Sequence, residues 1–490
     1  MPRKRKYRAG NSNLPIPKAG YDATINKKKR QAPRSTIKSE DLVATTTKRR
    51  QLTATAQDQI RNFAVAAWMV RKHTSYVSRF NFHAATDDKG FERALEDFIS
   101  YRSQGAQFDR AGRLNRQRAL TMTERHAVVD GDVFWHLLRS GEVQIVEGDL
   151  VYKPNDLPSQ YAGDGYNWVH GVDVDAATKP RRYCLCTRDG SSRKFGMIAK
   201  AQNILHRAYF PRANTVRGVS PLSSALNTLQ DLYEGFDYQL IKAKLHALFG
   251  IAILSDGVTG AAGFDVSETN TEGSEADDDA GNVTHAIKKH YMKPGAATVM
   301  TLPTGTSIET FESKTPSGEW RAYSELMMQI GMLAIDLPYI FFNAKDGSFS
   351  IHRTARLEYE KSCKDKRDEN ISLLDRWTVR QLQRGIVDGE FSLPSGMSLD
   401  QAKWEWVPEA TPWFDEMDEI DAALAGIGGG IVDPYKWLKE RTGQDGDQVL
   451  ENIAKFQRKA EDLGLQLVWA RAPITLTATQ QPTRKDRDNG

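Results

Sequence analysis

Apolar and polar positions divide the chain into a helical opening, a strand-rich middle, a long helical seam and a helical end. From about residue 51, Ile60, Phe63, Ala64, Ala67 and Trp68, then Phe91, Leu95, Phe98 and Ile99, recur at helical spacing, as in a helix that buries one stripe. The pattern changes at Val128–Trp135, read as a β-rich run around Gly131. Val143–Val146, Asn167–Val174 and Arg182–Cys186 also alternate or are β-branched, as strands are. Together these segments predict an α+β domain reaching to about residue 215.

The next stretch is helical again. Ser220 is a good N-cap and Pro221 suits a first helical turn. Leu222, Leu226, Leu229, Tyr233, Phe236, Leu240, Ala243 and Ala247 follow at a mean spacing of 3.5, which makes a continuous seam against another helix. A helix over 221–249 would be about 44 Å long, with Gly235 as its weak point. Such a helix is either buried in a large monomer or packed against repeated copies around an axis. Tyr323, Leu326, Met327, Ile330, Leu333 and Ala334 predict a further helix that Asp336-Leu337-Pro338 ends. The polar loop Asn343–Ser350 leads into a long charged helix from about Ile351 to Arg384. Trp404–Val407 alternates as a strand. Beyond it, Asp433-Pro434 starts a helix that Gly443 stops, and Asp447 starts another that Gly464 ends.

Composition changes this picture in one respect. With 40% apolar and 27% charged residues among 490, the chain can bury a large core, and its length allows about three domains. The formal net charge of +4 conceals a split. Residues 1–50 hold 15 basic and three acidic side chains, leaving 52 basic and 60 acidic in the remainder. With almost no large apolar residues, 1–50 reads as a mobile basic arm, either a solubilising tail or one drawn to a polyanion by counterion release. A second bias lies between Lys244 and Lys288, where no basic residue occurs and eight acids do, the mark of an exposed acidic insertion. The longest apolar runs are about eight residues, against the roughly 20 of a membrane span. Three cysteines make no disulfide scaffold, and Cys184 and Cys186 read as facing opposite sides of a strand, poorly placed to share a metal.

Catalytic signatures are absent. Gly426–Gly430 lacks the Lys-Ser/Thr of a phosphate loop and reads as a hinge. Gly218-Val219-Ser220-Pro221-Leu222 has Leu222 where a nucleophile elbow needs glycine, and Pro221 removes an oxyanion N–H. The Asp130-Gly131-Asp132 acids fit turn chemistry better than metal ligation. No cofactor or metal is expected, and no enzyme.

Arg217-Gly218-Val219-Ser220-Pro221-Leu222, with Ala225–Tyr233, Leu240–Lys244 and Ala247–Gly250, resembles the lambda-type portal proteins of tailed bacteriophages. Leu205-His206-Arg207, Asp130–Phe134, Leu333–Tyr339, Ala355-Arg356 and Gly464-Leu465 fall in the family's order, so the resemblance covers most of 50–465. The sequence departs from it at Asp346–Ser350, where the family has a Gly-Thr-Asn-Tyr-Ser-like pattern.

The resemblance implies an α+β portal fold, assembled as a ring at one capsid vertex through which DNA is packaged and ejected. It would comprise a basic disordered arm (1–50), wing (51–218), stem helix (219–249), clip with the acidic insertion (250–318), second stem helix (319–342), tunnel loop (343–352), wing helix and strand (353–410), helical crown (411–474) and tail (475–490). Leu222, Leu226, Leu229, Tyr233, Phe236 and Leu240 would pack the stem. Lys345, His352 and Arg353 would touch channel DNA, and Lys27, Lys28, Lys29 and Arg30 would be the core of the arm. Implied partners are eleven further copies in a dodecamer, nonspecific double-stranded DNA, the terminase large subunit, the major capsid protein and a head-tail adaptor, with no membrane. The location would be the portal vertex of the virion, after assembly in the host cytoplasm. The alternatives are another virion structural protein, such as a minor capsid or adaptor component, and a nucleic-acid-processing enzyme.

Overall fold

The computed structural model describes residues 38–86, 88–190, 192–248, 251–255, 306–310, 317–409 and 416–465. The chain divides into a larger unit of residues 1–229 and 329–490 and a smaller one of 230–328. In chain order the larger unit begins with α1 (Glu40–Val43), α2 (Thr46–Asn62), α3 (Ala64–Val77), β1 (Phe80–Ala84), α4 (Lys89–Arg102), α5 (Gly105–Phe108), α6 (Arg116–Asp130), β2 (Asp132–Leu137) and β3 (Val143–Glu147). It continues through β4 (Trp168–Val169), β5 (Val172–Val174), β6 (Pro180–Asp189), β7 (Ser192–Lys200) and β8 (Ile204–Ala208). Helix α7 (Leu226–Leu248) then runs into the smaller unit, which also holds β9 (Ile251–Ser255), β10 (Thr306–Thr310) and most of α8 (Gly318–Leu333). The chain returns with α9 (Phe349–Asp388), β11 (Trp404–Pro408), α10 (Glu416–Gly428), α11 (Pro434–Thr442) and α12 (Gly446–Asp462).

The sheets are small and antiparallel. β2 is central to the order β3-β2-β8, with Trp135 opposite both Ile145 and Leu205. A second sheet runs β4-β5-β6-β7, and β1 pairs with β11 so that Phe80 faces Pro408 across 328 positions of chain. The main core lies between the β2 sheet, α4, α6 and the C-terminal half of α9, where Trp135, Trp377, Leu374, Leu95 and Phe108 are fully buried. Gly385 in α9 permits this packing, because a Cβ there would lie 2.5 Å from Phe98 Cζ. In the smaller unit, β9 and β10 form an antiparallel ladder from Ile251↔Thr310 to Ser255↔Thr306.

Several boundaries differ from the sequence reading. Val128–Asp130 ends α6 and does not begin a strand, because Gly131 takes φ +95° and stops the helix with its N–H on Ala127 O. Asn167–Val174 is a hairpin, turning at His170-Gly171 with both residues at positive φ. Residues 38–50 belong to the fold, in α1 and α2, so the basic arm cannot extend to residue 50. What precedes residue 38, including Lys27, Lys28, Lys29 and Arg30, lies outside the described residues, as does most of the acidic insertion. Cys184 and Cys186, two apart in β6, share a face, contrary to the opposite-face reading, and Cys186 Sγ donates to Tyr152 O at 3.4 Å. All three cysteines are free and buried. Asp445, not Asp447, caps α12, accepting from the backbone of Asp447 and Gln448. Gly426–Gly430 is a helix end, not a hinge: Ile431 N and Val432 N both return to Gly426 O. The helix that begins at Asp433-Pro434 and stops at Gly443, with φ +68°, is as the sequence predicts.

A largely buried polar network joins α3, α6, β8 and α9. Glu124 accepts from Arg207 at 3.1 Å, from Tyr209 Oη at 2.5 Å and from Asn370 Nδ2 at 3.1 Å, while Asn370 also donates to Val77 O. Burial alone pushes the Glu124 carboxyl up, but Arg207, His73 and Tyr209 more than reverse this and hold it at about 2. His73, desolvated in the same cluster, is pushed below its usual range.

Candidate functional site

The segment from Arg217 to the start of α7 is built around a single buried guanidinium. Arg217 donates from Nε to Asp132 Oδ2 (2.5 Å), from Nη2 to Asp132 Oδ1 (2.9 Å) and Gly148 O (2.6 Å), and from Nη1 to Val151 O and His170 O (both 2.7 Å). Every N–H of the group is used. Gly218 N also donates to Asp132, at 3.1 Å, and Arg49 of α2 donates to Gly218 O at 2.6 Å. Burial raises the Asp132 carboxyl's affinity for a proton, yet Arg217, His206 and Arg49 overcome that and keep it far below the carboxylate range. Burial, with Arg217 nearby, brings Arg49 down to about 10.

The two glycines flanking this knot pack backbone to backbone. A Cβ on Gly218 would lie 2.0 Å from Gly131 O, and one on Gly131 would lie 2.7 Å from Ser220 N. Ser220 then donates to Val128 O at 2.7 Å and accepts from Leu222 N, capping a 3-10 turn over Pro221–Ser224. Helix α7 therefore begins at Leu226, not near residue 219, and its 23 residues span about 34 Å.

Of the predicted stem residues, Leu222, Leu226 and Leu229 are buried, whereas Tyr233, Phe236 and Leu240 are exposed in the single chain. Leu232, one turn from Leu229 and off the predicted seam, is also buried. Gly235 is a contact point as well as a weakness in the helix: a Cβ there would come within 2.4 Å of Trp320 Cη2, whose ring stands edge-on to Phe236 at 6.0 Å. The far side of α7 and the outer side of α8 remain open. Leu240 and Leu326 are each 52% exposed, and Tyr238, Ile241, Ile330 and Leu333 are exposed beside them in sequence.

After α8, Asp336 adopts φ +58° and its carboxylate accepts from Ser362 Oγ (2.8 Å) and Lys366 Nζ (3.0 Å). Helix α8 thus ends at Leu333, short of residue 342, to which the sequence reading extended this helix. Phe341 stacks on Tyr76 at 5.8 Å and Phe342 meets Trp68 edge-on at 5.4 Å. Lys72 Nζ lies 5.5 Å from both the Tyr76 and Phe341 rings. Trp68, Lys72 and Tyr76, four apart on α3, form the stripe that seats this turn.

The loop itself is shorter than 343–352, because α9 starts at Phe349. Lys345 sits exposed in the loop, its backbone N–H held by Asn343 Oδ1 at 3.3 Å. His352 lies in the first turn of α9, with Nε2 3.2 Å from Ala344 O, where it braces the loop. Arg353, exposed on the same turn, lines a cleft of about 410 Å³ with Arg356, Glu360, Glu419 and Arg441. The structure therefore leaves Lys345 as the cation carried by the loop and places the other two on the helix. Phe349 and Ile351 are exposed beside it, which the polar reading of the loop missed. Their signal was present as two large apolar residues in a polar stretch.

Residues 28–367 match the family described as phage portal protein, lambda family. The chain belongs to the lambda family of phage portal proteins. That family is structural rather than enzymatic, in keeping with the missing catalytic signatures. No protein of curated function matches the sequence. Among solved structures, the portal chain is similar to a chain in the neck of an empty gene transfer agent particle computed with C6 symmetry, at TM-score 0.50 and 14% identity over 81% of this chain and 97% of that one. It is also similar to one in the neck of the native particle computed with C12 symmetry, at TM-score 0.50 and 13% identity over 80% and 92%. At such identities the likeness is one of fold. The Asp132–Arg217 knot sits within the matched residues, and the sequence showed its halves only separately, as the specific block that begins at Arg217 and the weaker Asp130–Phe134 motif.

Proposed function

We propose that twelve copies of this chain form a ring at one capsid vertex, with α7 and α8 packed around a channel through which duplex DNA passes. The observation that carries this reading is the apolar belt on those two helices. An exposed run of Tyr238, Leu240, Ile241, Leu326, Ile330 and Leu333 is more than an isolated soluble chain of this family would leave in water. The twelvefold symmetry of the similar neck supports the copy number. Terminase large subunit would dock on the smaller unit during packaging and a head-tail adaptor afterwards, while the larger unit meets the major capsid protein.

Charge supports passage over grip. With residues 38–50 assigned to the fold, residues 1–37 carry 11 basic and one acidic side chain, and the remainder carries 56 basic against 62 acidic. Each phosphate neutralised by a channel cation adds a salt-dependent attraction that opposes sliding, so an acidic body with one exposed loop lysine suits a conduit. Lys345 would touch phosphates transiently, and the cluster Lys27–Arg30 would meet packaged DNA or an acidic capsid surface outside the channel. Leu240→Glu with Leu326→Glu tests the ring through sedimentation velocity. The variant should remain monomeric with unchanged helical content, and a ring of wild-type size would count against this assignment of the belt.

A further inference from the structure

The three C-terminal helices leave two apolar stripes uncovered among the described residues. On α12, Asp447 and Glu451 face α4, where Lys89 Nζ lies 3.2 Å from Asp447 and Arg93 lies 3.3 Å from Glu451. At 100° per residue, Ile453 and Phe456 fall on the opposite face, with Leu463 continuing it, and all three are exposed, Phe456 at 59%. On α10, Ala423 is buried and Glu419 pairs with Arg441 of α11, which fixes the inner side. Met417 and Leu424, seven residues apart, then point outward at 69% and 61% exposure.

The borders of the two stripes carry opposite charge. Asp418 and Asp421 flank the α10 stripe, and no Lys or Arg occurs between Glu409 and Asp433. Lys455 and Lys459 lie along one edge of the α12 stripe, Lys455 also reaching Glu451 of its own helix at 3.9 Å. Both stripes repeat at seven-residue spacing, Met417 to Leu424 and Phe456 to Leu463, the register in which two helices mesh over successive turns.

We infer that α12 of one copy packs its Ile453–Phe456–Leu463 stripe on the Met417–Leu424 stripe of α10 in the neighbouring copy. The interface is head-to-tail: each copy offers a basic-edged stripe to one neighbour and an acidic-edged stripe to the other, an arrangement that closes only around an axis. It rests on the ring reading and adds a second belt to it, separate from α7 and α8. It also gives a role to two apolar surfaces that a monomer would leave in water.

The test is disulfide trapping in the full-length chain carrying Leu424→Cys and Phe456→Cys, with each single variant as control. The native cysteines are buried and contribute little background. Mild oxidation should convert the double variant into a ladder of covalent multimers reaching the ring size, while the single variants give monomer with traces of dimer. A fast-migrating monomer closed by an intrachain bond would overturn the inference, because the stripes would then meet within one chain. Rings in images without any ladder would also overturn it and leave the ring standing. Absence of rings from the wild-type chain would overturn the ring reading and this inference with it.

Discussion

Arg217→Ala should be among the most damaging single substitutions in the chain. It removes the bidentate partner of Asp132, which is fully buried, takes the Arg217 donors from the carbonyls of Val151 and His170, and leaves Gly148 O only the N–H of Val151 at 3.4 Å. Breaking one side of a buried ion pair costs about 3–5 kcal/mol, and each buried carbonyl left without a donor about 1–3 kcal/mol. Two features moderate the sum. Arg49 Nη2 stays 3.5 Å from Asp132, and a cavity of about 40 Å³ beside Arg217 has room for water. A net loss of about 5 kcal/mol is expected, comparable to the whole stability of a modest domain. Arg217→Lys keeps the charge but offers three donors in place of a planar fork of five, and should recover about half of the loss. The assay is the urea midpoint together with amide hydrogen exchange over Gly218–Leu229. Faster exchange is expected first at Gly218, whose N–H donates to Asp132. A midpoint within about 1 kcal/mol of wild type, with unchanged exchange at Gly218, would refute the claim that this knot sets the start of α7.

Gly235→Ala should destabilise by about 1–3 kcal/mol through the clash with Trp320, and in a Trp320→Leu background the same change should be neutral or stabilising; thermal melts of the four variants decide this. Acid should weaken the fold in two stages. His73 is depressed by burial, so the stability tied to its neutral form is present above 6.5 and declines as pH falls through that value, with His126 opposing weakly because its pKa is raised beside Asp130. The Glu124 carboxyl, at about 2 against 4.5 when unfolded, contributes on the order of 3 kcal/mol above pH 4.5, and this is lost as pH falls toward 2. Urea midpoints at pH 8, 6, 4 and 2.5 test both, and a flat series would contradict them. Lys345→Ala should leave melting unchanged, because the side chain is exposed, but shift packaged genome length or its retention; unchanged packaging would remove Lys345 from the channel contacts. Deleting residues 1–37 should leave the ring intact and lower DNA affinity at low salt, whereas deleting 1–48 also removes Asp41, which accepts from Val216 N at 3.0 Å, and should reduce stability.

Much of the helical frame was legible because its signals are local. The Asp433-Pro434 start, the Gly443 stop and the leucines leading into α7 are each set by neighbours within a few residues. Long-range contacts decided the rest. Nothing near Arg217 marks its carboxylate partner 85 positions earlier, and Gly131 was read as a strand bend since the helix it caps carries the β-branched Val128 and Val129 at its end. The arm was drawn too long for the same reason. Charge and low hydropathy typify residues 38–50, yet Arg49 is held by a backbone carbonyl at residue 218. In the loop, the sequence placed Lys345, His352 and Arg353 together, while the bracing position of His352 is revealed only by the approach of Ala344 O. The seam of α7 was legible only in part: its first three leucines are buried within the chain, Leu232 is buried off the seam, and Tyr233, Phe236 and Leu240 are exposed.

Electron microscopy of the purified full-length chain tests the ring most directly. The account predicts rings of twelvefold symmetry whose central bore admits a DNA duplex and is lined by α7 and α8. A chain that stays monomeric at micromolar concentration, or assembles into a closed particle without a bore, would contradict it.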